Sequence, residues 1–247
     1  MQEKRTGMNG RTTMNKKSAE ERLNRLMAMT AEAVRKREAG LCKAHFSYET
    51  NTKLGRIAGF SVMPGYTCTM AACAHCGVEG CYAIKNVIRF GYNEEKSSVM
   101  HAWMENTILA VKDLKKLQQE IELYLSQYDG HFFRVHPGGD FVTEEYARMW
   151  LDVAQEFPEI QFLAFTKQWD IVRAIPFEEV SNFHLVPSGW TGCQVPEDIA
   201  ERFHASHCVE KGAQPPEGAL ECPGGCETCN ACWMLNELGK DVWFRKH

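Results

Sequence analysis

Apolar and polar positions run in blocks along the chain, and the spacing inside each block indicates an element. Leu23, Leu26, Met27 and Met29 recur at helical intervals behind Ser18 and Glu21, a capping box. A helix is therefore expected from Ser18 to about Arg37, with Gly40 to end it. Asn51–Met63 reads as the first strand region, and Tyr82 to about Tyr92 as a helix. From Ser97 to about Ser126, Met104, Ile108, Val111, Leu114, Leu117, Ile121 and Leu125 keep steps of three and four, which predicts one long or broken helix.

Alternation of type then becomes regular. His131–His136 is a strand, Thr143 to about Glu156 a helix, Gln161–Lys167 a strand and Trp169–Ala174 a short helix. Phe183–Val186 is a further strand, followed by a helix whose first turn suits Pro196. Short apolar strands separated by helices define βα units and a parallel sheet. About five or six such units fall short of an eight-fold barrel. The expected fold is α/β: a partial or distorted (β/α) barrel of parallel strands with an appended N-terminal helix. An open doubly wound sheet is the alternative. Residues 1–17 are expected to form a flexible tail and 18–247 one domain with a Cys-rich segment at 222–233.

Composition narrows the chemistry. A net charge of −4 gives no basic footprint for nucleic acid. No apolar run is long enough for a membrane span, and the N-terminus lacks the apolar core of a secretory signal. The expected compartment is the cytoplasm, where disulfides do not persist, so eleven cysteines point instead to metal binding or catalysis.

Eight of the eleven fall into two quartets. Cys68, Cys73, Cys76 and Cys81 follow the first strand through a Pro-Gly loop; Cys222, Cys226, Cys229 and Cys232 lie near the C-terminus. Soft thiolates at short spacing on Gly-containing backbone suit an iron–sulfur cluster or zinc. The run Cys226-x2-Cys229-x2-Cys232 resembles part of a ferredoxin motif and favours a 4Fe–4S cluster, with zinc as the alternative metal. One cluster shared between the quartets and two separate ones both remain open. Cys42, Cys193 and Cys208 are expected to be buried small hydrophobes, and His75 a loop histidine rather than a ligand.

Functional residues are expected where parallel strands end. Three ends are polar or Gly-rich: His136–Asp140, Thr166–Lys167 and Ser188–Gly189. The candidate catalytic residues are His136, Asp140 and Lys167, which would orient substrate, shuttle protons or contact an anion. Arg134, Gly138, Gly139 and Ser188 are the candidates for cofactor contact.

Several stretches together resemble the phage and prophage gene product 88 family: Phe60-Ser-Val-Met-Pro-Gly, Cys81-Tyr-Ala, Phe133-Arg-Val-His-Pro-Gly-Gly-Asp-Phe, Phe165-Thr-Lys and Cys222-Pro through Cys232-Trp. That resemblance covers about residues 50–235 and implies a mobile-element origin and a bacterial host cytoplasm. More distantly, the layout is similar to radical S-adenosylmethionine enzymes, which place a cysteine loop after the first strand of a partial barrel. The same resemblance implies that Gly139 and Asp140 contact the methionine amino group of the cofactor. The cysteine spacing departs from that pattern: Cys-x4-Cys-x2-Cys-x4-Cys replaces Cys-x3-Cys-x2-Cys, and a cluster with four thiolates has no open iron for S-adenosylmethionine.

The functional expectation is an iron–sulfur enzyme acting on a small-molecule substrate or cofactor at the strand-end rim, with an electron donor from the host. A Lewis-acid hydrolase or hydratase using an open cluster iron is one alternative. The other is a zinc- or cluster-stabilised binding protein with no catalysis.

Overall fold

A computed structural model of the chain describes residues 8–49, 52–68, 81–89, 94, 97–190 and 193–245, side chains at 8–19 and 88–89 excepted. Its frame is an eight-stranded sheet: β1 (Phe46–Ser47), β2 (Ala58–Phe60), β3 (Phe132–Val135), β4 (Gln161–Thr166), β5 (Phe183–Trp190), β6 (Ser206–Val209), β7 (Leu220–Glu221) and β8 (Val242–Arg245). The order across the sheet is β1-β2-β3-β4-β5-β6-β8-β7. Only β1 runs antiparallel, with Phe46 opposite Phe60; every other pair is parallel.

From β2 to β6 the strand order follows chain order. Right-handed crossovers then place successive connections on one face, so this portion is singly wound. The order turns back only at the end, where β8 lies between β6 and β7 and the segment joining β7 to β8 covers the other face, so the β2–β6 portion is not doubly wound. The sheet is also open, not a closed barrel: its edges are the two-residue strands β1 and β7.

Each central strand is buried on both sides, as a parallel sheet requires. Along β4, Phe162 and Ala164 join the larger core, whereas Leu163 and Phe165 join a second cluster on the opposite face. The larger core lies beneath α1 (Met8–Lys36), α2 (Tyr82–Arg89), α3 (Ser98–Lys112), α4 (Leu114–Leu125), α5 (Glu144–Glu156) and α6 (Trp169–Ala174). The second cluster comprises Leu54, Ile57, Leu163, Val186, Trp233, Leu235 and Val242. It is covered by the cysteine-rich C-terminal segment, with Trp233 Nε1 donating to the Gln161 carbonyl at 2.9 Å.

Local signals account for most element ends. Asp113 breaks the apolar stretch after α3 and caps α4, its carboxylate accepting from Lys116 N at 3.0 Å. Ser97 and Thr143 cap α3 and α5 in the same way.

Three expectations are corrected. Ser18 is not an N-cap, because α1 already begins at Met8 and the backbone at residues 8–17 is helical. The strand at Phe183 continues to Trp190, which puts Ser188 inside β5 paired with Ser206 instead of in a loop. The helix after Pro196, α7 (Glu197–Ala200), is one turn long.

Candidate functional site

The end of β3 turns sharply, and its conformation is set by two residues at positive φ. His136 has φ 56° and Gly139 φ 84°. A Cβ on Gly139 would lie 2.5 Å from Val62 Cγ2 and 2.6 Å from the Val62 carbonyl oxygen, so only glycine fits. This close approach lets the turn reach the segment after β2: Gly138 N donates to Ser61 Oγ at 3.1 Å and Asp140 N to Thr67 Oγ1 at 3.1 Å.

Asp140 gathers the rim. One carboxylate oxygen accepts from Thr166 Oγ1 at 2.7 Å and from Phe141 N at 2.8 Å; the other accepts from Lys167 N at 2.9 Å. The residue is buried. Loss of hydration raises its pKa, opposed by the bonds from Thr166, Lys167 and Phe141. Next to it, Gln168 Nε2 donates to the carbonyls of Thr67 and Phe141, both at 2.8 Å. Asp140 and Gln168 thus fix the backbone that delivers Cys68, and Asp140's oxygens are spent on the protein itself.

Lys167 points elsewhere. Its Nζ donates to Ser188 Oγ at 2.9 Å and lies 5.9 Å from the centre of the Trp190 ring. Cys81 is close enough to feel the charges of both Cys68 and Lys167, so the two ends of the first quartet lie within electrostatic reach of each other and of this ammonium. Burial pushes the Cys81 thiol up. Cys73, Cys76 and His75 lie outside the described residues.

His136 is not brought to this group. Its ring is buried on the helix side, with Nε2 2.8 Å from Tyr146 Oη on α5 and the ring edge-on to Phe141 and Trp150. Desolvation, with help from Arg134, lowers its pKa to about 3. Among the described residues its Nδ1 has no partner.

The second quartet forms its own site on the opposite face. Cys222, Cys226, Cys229 and Cys232 line one cavity of about 220 Å³, counting space open to solvent, together with Asn230 and Trp233. The backbone curls through α8 (Cys226–Cys229) and a left-handed Asn230, φ 42°, into a 3-10 turn. Cys226 N is anchored on the Lys53 carbonyl at 2.7 Å. Burial raises the Cys226 thiol and pushes that of Cys232 up to about 12. None of the nine described cysteines is in a disulfide. Four soft donors around one hollow, with no carboxylate or imidazole among its lining, fit a cluster or a zinc ion.

Arg134, on β3, lies within electrostatic reach of this hollow. Its guanidinium stacks 4.0 Å from the centre of the Phe165 ring, and its electrostatic neighbours are Tyr82, Cys226, Cys232 and Cys222. Its buried Nε has no partner among the described residues. Burial lowers its pKa, and those neighbours oppose the shift. Tyr82, directly after Cys81, feels both Arg134 and Cys226. The end of the first quartet therefore lies within electrostatic reach of the second.

A family model described as gene product 88 matches residues 31–232. The chain belongs to the gene product 88 family. The match spans β1 to the last cysteine of the second quartet, so the family segment includes the rim, the turn at Gly139 and both sets of thiols. No curated protein and no solved structure matches this gene product 88 member. No helix among the described residues is long and apolar enough to cross a membrane.

Sequence reasoning missed one group altogether. His45, His101 and Glu105 place their ligand atoms within 4.8 Å of one another. The His-x3-Glu spacing on α3 was visible in the sequence, but His45 is 60 residues from Glu105 and is brought to them by its backbone bonds to Asn106.

Proposed function

We propose that this chain is an iron–sulfur protein whose C-terminal quartet holds a 4Fe–4S cluster and whose first quartet holds a second metal centre at the strand-end rim. The observation that carries the reading is the convergence of Cys222, Cys226, Cys229 and Cys232 on one cavity, with the charge of Arg134 acting on three of the four. A thiolate-bound cluster is anionic and is stabilised by a nearby cation, so a half-buried guanidinium whose electrostatic neighbours are cysteines and a tyrosine suits it. Zinc on four thiolates is the second reading, favoured by the same donor set.

At the rim, the bound centre would supply electrons or, where only three of the four thiols hold it, an open Lewis-acidic iron. Lys167 and Ser188 offer an ammonium and a hydroxyl to an anionic part of a small molecule. Asp140 is a positioning residue: its bonds to Thr166 Oγ1 and Lys167 N hold two strand ends together, and through Thr67 it sets the direction of the Cys68 loop. His136, neutral across the physiological range because of burial, supports the turn from the helix side. Singly wound strand order, a cysteine loop after β2 and a Gly-Gly-Asp turn after β3 support a radical-SAM-like partial barrel. The engaged carboxylate of Asp140 argues against that residue as the S-adenosylmethionine contact.

The test is electron paramagnetic resonance on the anaerobically purified, reduced protein with and without S-adenosylmethionine. A spectral change on addition that disappears in Cys68→Ala, with the C-terminal signal retained, supports an open iron at the rim. A spectrum indifferent to S-adenosylmethionine removes the radical branch, and turnover without reductant would then favour the hydrolase. Zinc without sulfide removes the iron–sulfur reading.

A further inference from the structure

On the α3 side of the sheet, away from both cysteine quartets in sequence, three side chains converge. His101 and Glu105 stand one turn apart on α3, and His45 enters from the segment leading into β1. His45 Nε2 is 2.8 Å from Glu105 Oε2, and His101 Nε2 is 3.6 Å from Glu105 Oε1. The two imidazoles meet edge to face, 5.5 Å between centres.

The second distance is informative. At 3.6 Å the His101–Glu105 contact is not a hydrogen bond. Two donors held at ~2.0–2.2 Å from one tetrahedral ion sit roughly 3.3–3.5 Å apart. The His45–Glu105 contact is shorter because a shared proton occupies it; exchanging that proton for a metal ion requires a side-chain shift of about half an ångström.

The backbone holds the group ready. His45 is clamped by Asn106 on both sides, its N donating to Oδ1 at 2.8 Å and its carbonyl accepting from Nδ2 at 2.9 Å. Nδ2 of the same amide also donates to the Ser61 carbonyl at 2.8 Å, and Asn106 is fully buried. Glu105 Oε2 takes a further bond from Lys43 N at 3.2 Å. Each donor thus rests on a helix or a clamped loop, with the partners that orient a metal ligand already in place.

We propose that His45, His101 and Glu105 form a divalent transition-metal site of the Zn²⁺ type, distinct from the thiol sites. Two imidazole nitrogens and one carboxylate oxygen select Zn²⁺, Co²⁺, Ni²⁺ or Fe²⁺ over Mg²⁺ and Ca²⁺, which prefer oxygen-only shells. Three protein donors leave at least one position to water or to a small anionic ligand. His101 is half exposed, with 47% of its side-chain area accessible, so that position faces solvent.

Co²⁺ titration of the full-length chain, purified anaerobically, tests the site, because thiolate-bound Co²⁺ shows an intense near-ultraviolet charge-transfer band and nitrogen–oxygen sites do not. One equivalent of Co²⁺ with visible d–d bands and no thiolate band is expected. His101→Ala and Glu105→Gln should each weaken that equivalent by on the order of 100-fold while leaving thiolate-bound metal unchanged. Far-ultraviolet circular dichroism confirms the fold, and exposed His101 makes its variant the safe one. Absence of a non-thiolate equivalent in the parent chain, or its persistence in folded His101→Ala, overturns the proposal.

Discussion

Asp140 Oδ1 accepts the hydroxyl proton of Thr166 at 2.7 Å, joining the turn after β3 to the end of β4. The same carboxylate takes Lys167 N through its other oxygen. Asp140→Asn is predicted to lose this arrangement, since an amide turned to accept from Thr166 presents its NH2 to the Lys167 N–H. The variant should be less stable by about 1–3 kcal/mol in denaturant unfolding. It should also weaken metal retention at Cys68 and Cys81 more than at Cys222–Cys232. Equal stability and unchanged metal content would show that the carboxylate does not organise the rim.

Gly139→Ala is expected to be worse tolerated than its size suggests. The positive φ and the 2.6 Å approach to the Val62 carbonyl are independent penalties. A loss on the order of 1–3 kcal/mol is predicted, read as a lower unfolding midpoint at unchanged slope. A neutral result would mean that the turn relaxes without cost.

His136 gives the fold a pH dependence whose sign follows from its burial. Its folded pKa, about 3, is below the ordinary value of 6.5. As pH falls from 6.5, the unfolded chain binds a proton that the folded chain refuses. Stability therefore drops by about 1.4 kcal/mol per pH unit towards pH 3. His136→Gln should flatten the stability–pH curve between pH 6 and 4 relative to the parent. Parallel curves would rule out the buried neutral imidazole.

Arg134→Leu separates scaffold from cofactor. Removing a half-buried guanidinium whose Nε has no partner among the described residues is expected to leave the metal-free fold as stable or more so. The same change should lower iron at the C-terminal quartet or move its reduction potential to more negative values, because the extra electron loses a stabilising positive charge. Arg134→Lys should recover part of either effect. Unchanged iron and potential in Arg134→Leu would remove Arg134 from the site.

Strand–helix alternation and strand-end chemistry were legible because β3, β4 and β5 are apolar runs bounded by turn residues. Other elements gave weak signals. β6, Ser206–Val209, is four residues with a central histidine, and β7 is two residues long; neither carries a period. The polar stretch Met8–Lys17 has no apolar stripe, so the capping box at Ser18 outweighed it, although the helix runs straight through. The rim position of Asp140 was readable, but not the use of its oxygens, because Thr166 and Lys167 come from a strand 26 and 27 residues later. His136 faces the helix layer because the backbone reverses at its positive φ, which sequence does not encode for a histidine.

The central claim is that the C-terminal thiols hold a cluster. Iron, acid-labile sulfide and zinc per chain, measured on anaerobically purified protein and on Cys226→Ser, test it most directly. The account predicts about four irons with matching sulfide that are lost in Cys226→Ser, above any iron held by the first quartet. Iron and sulfide unchanged by that substitution, or zinc alone in the parent, would contradict it.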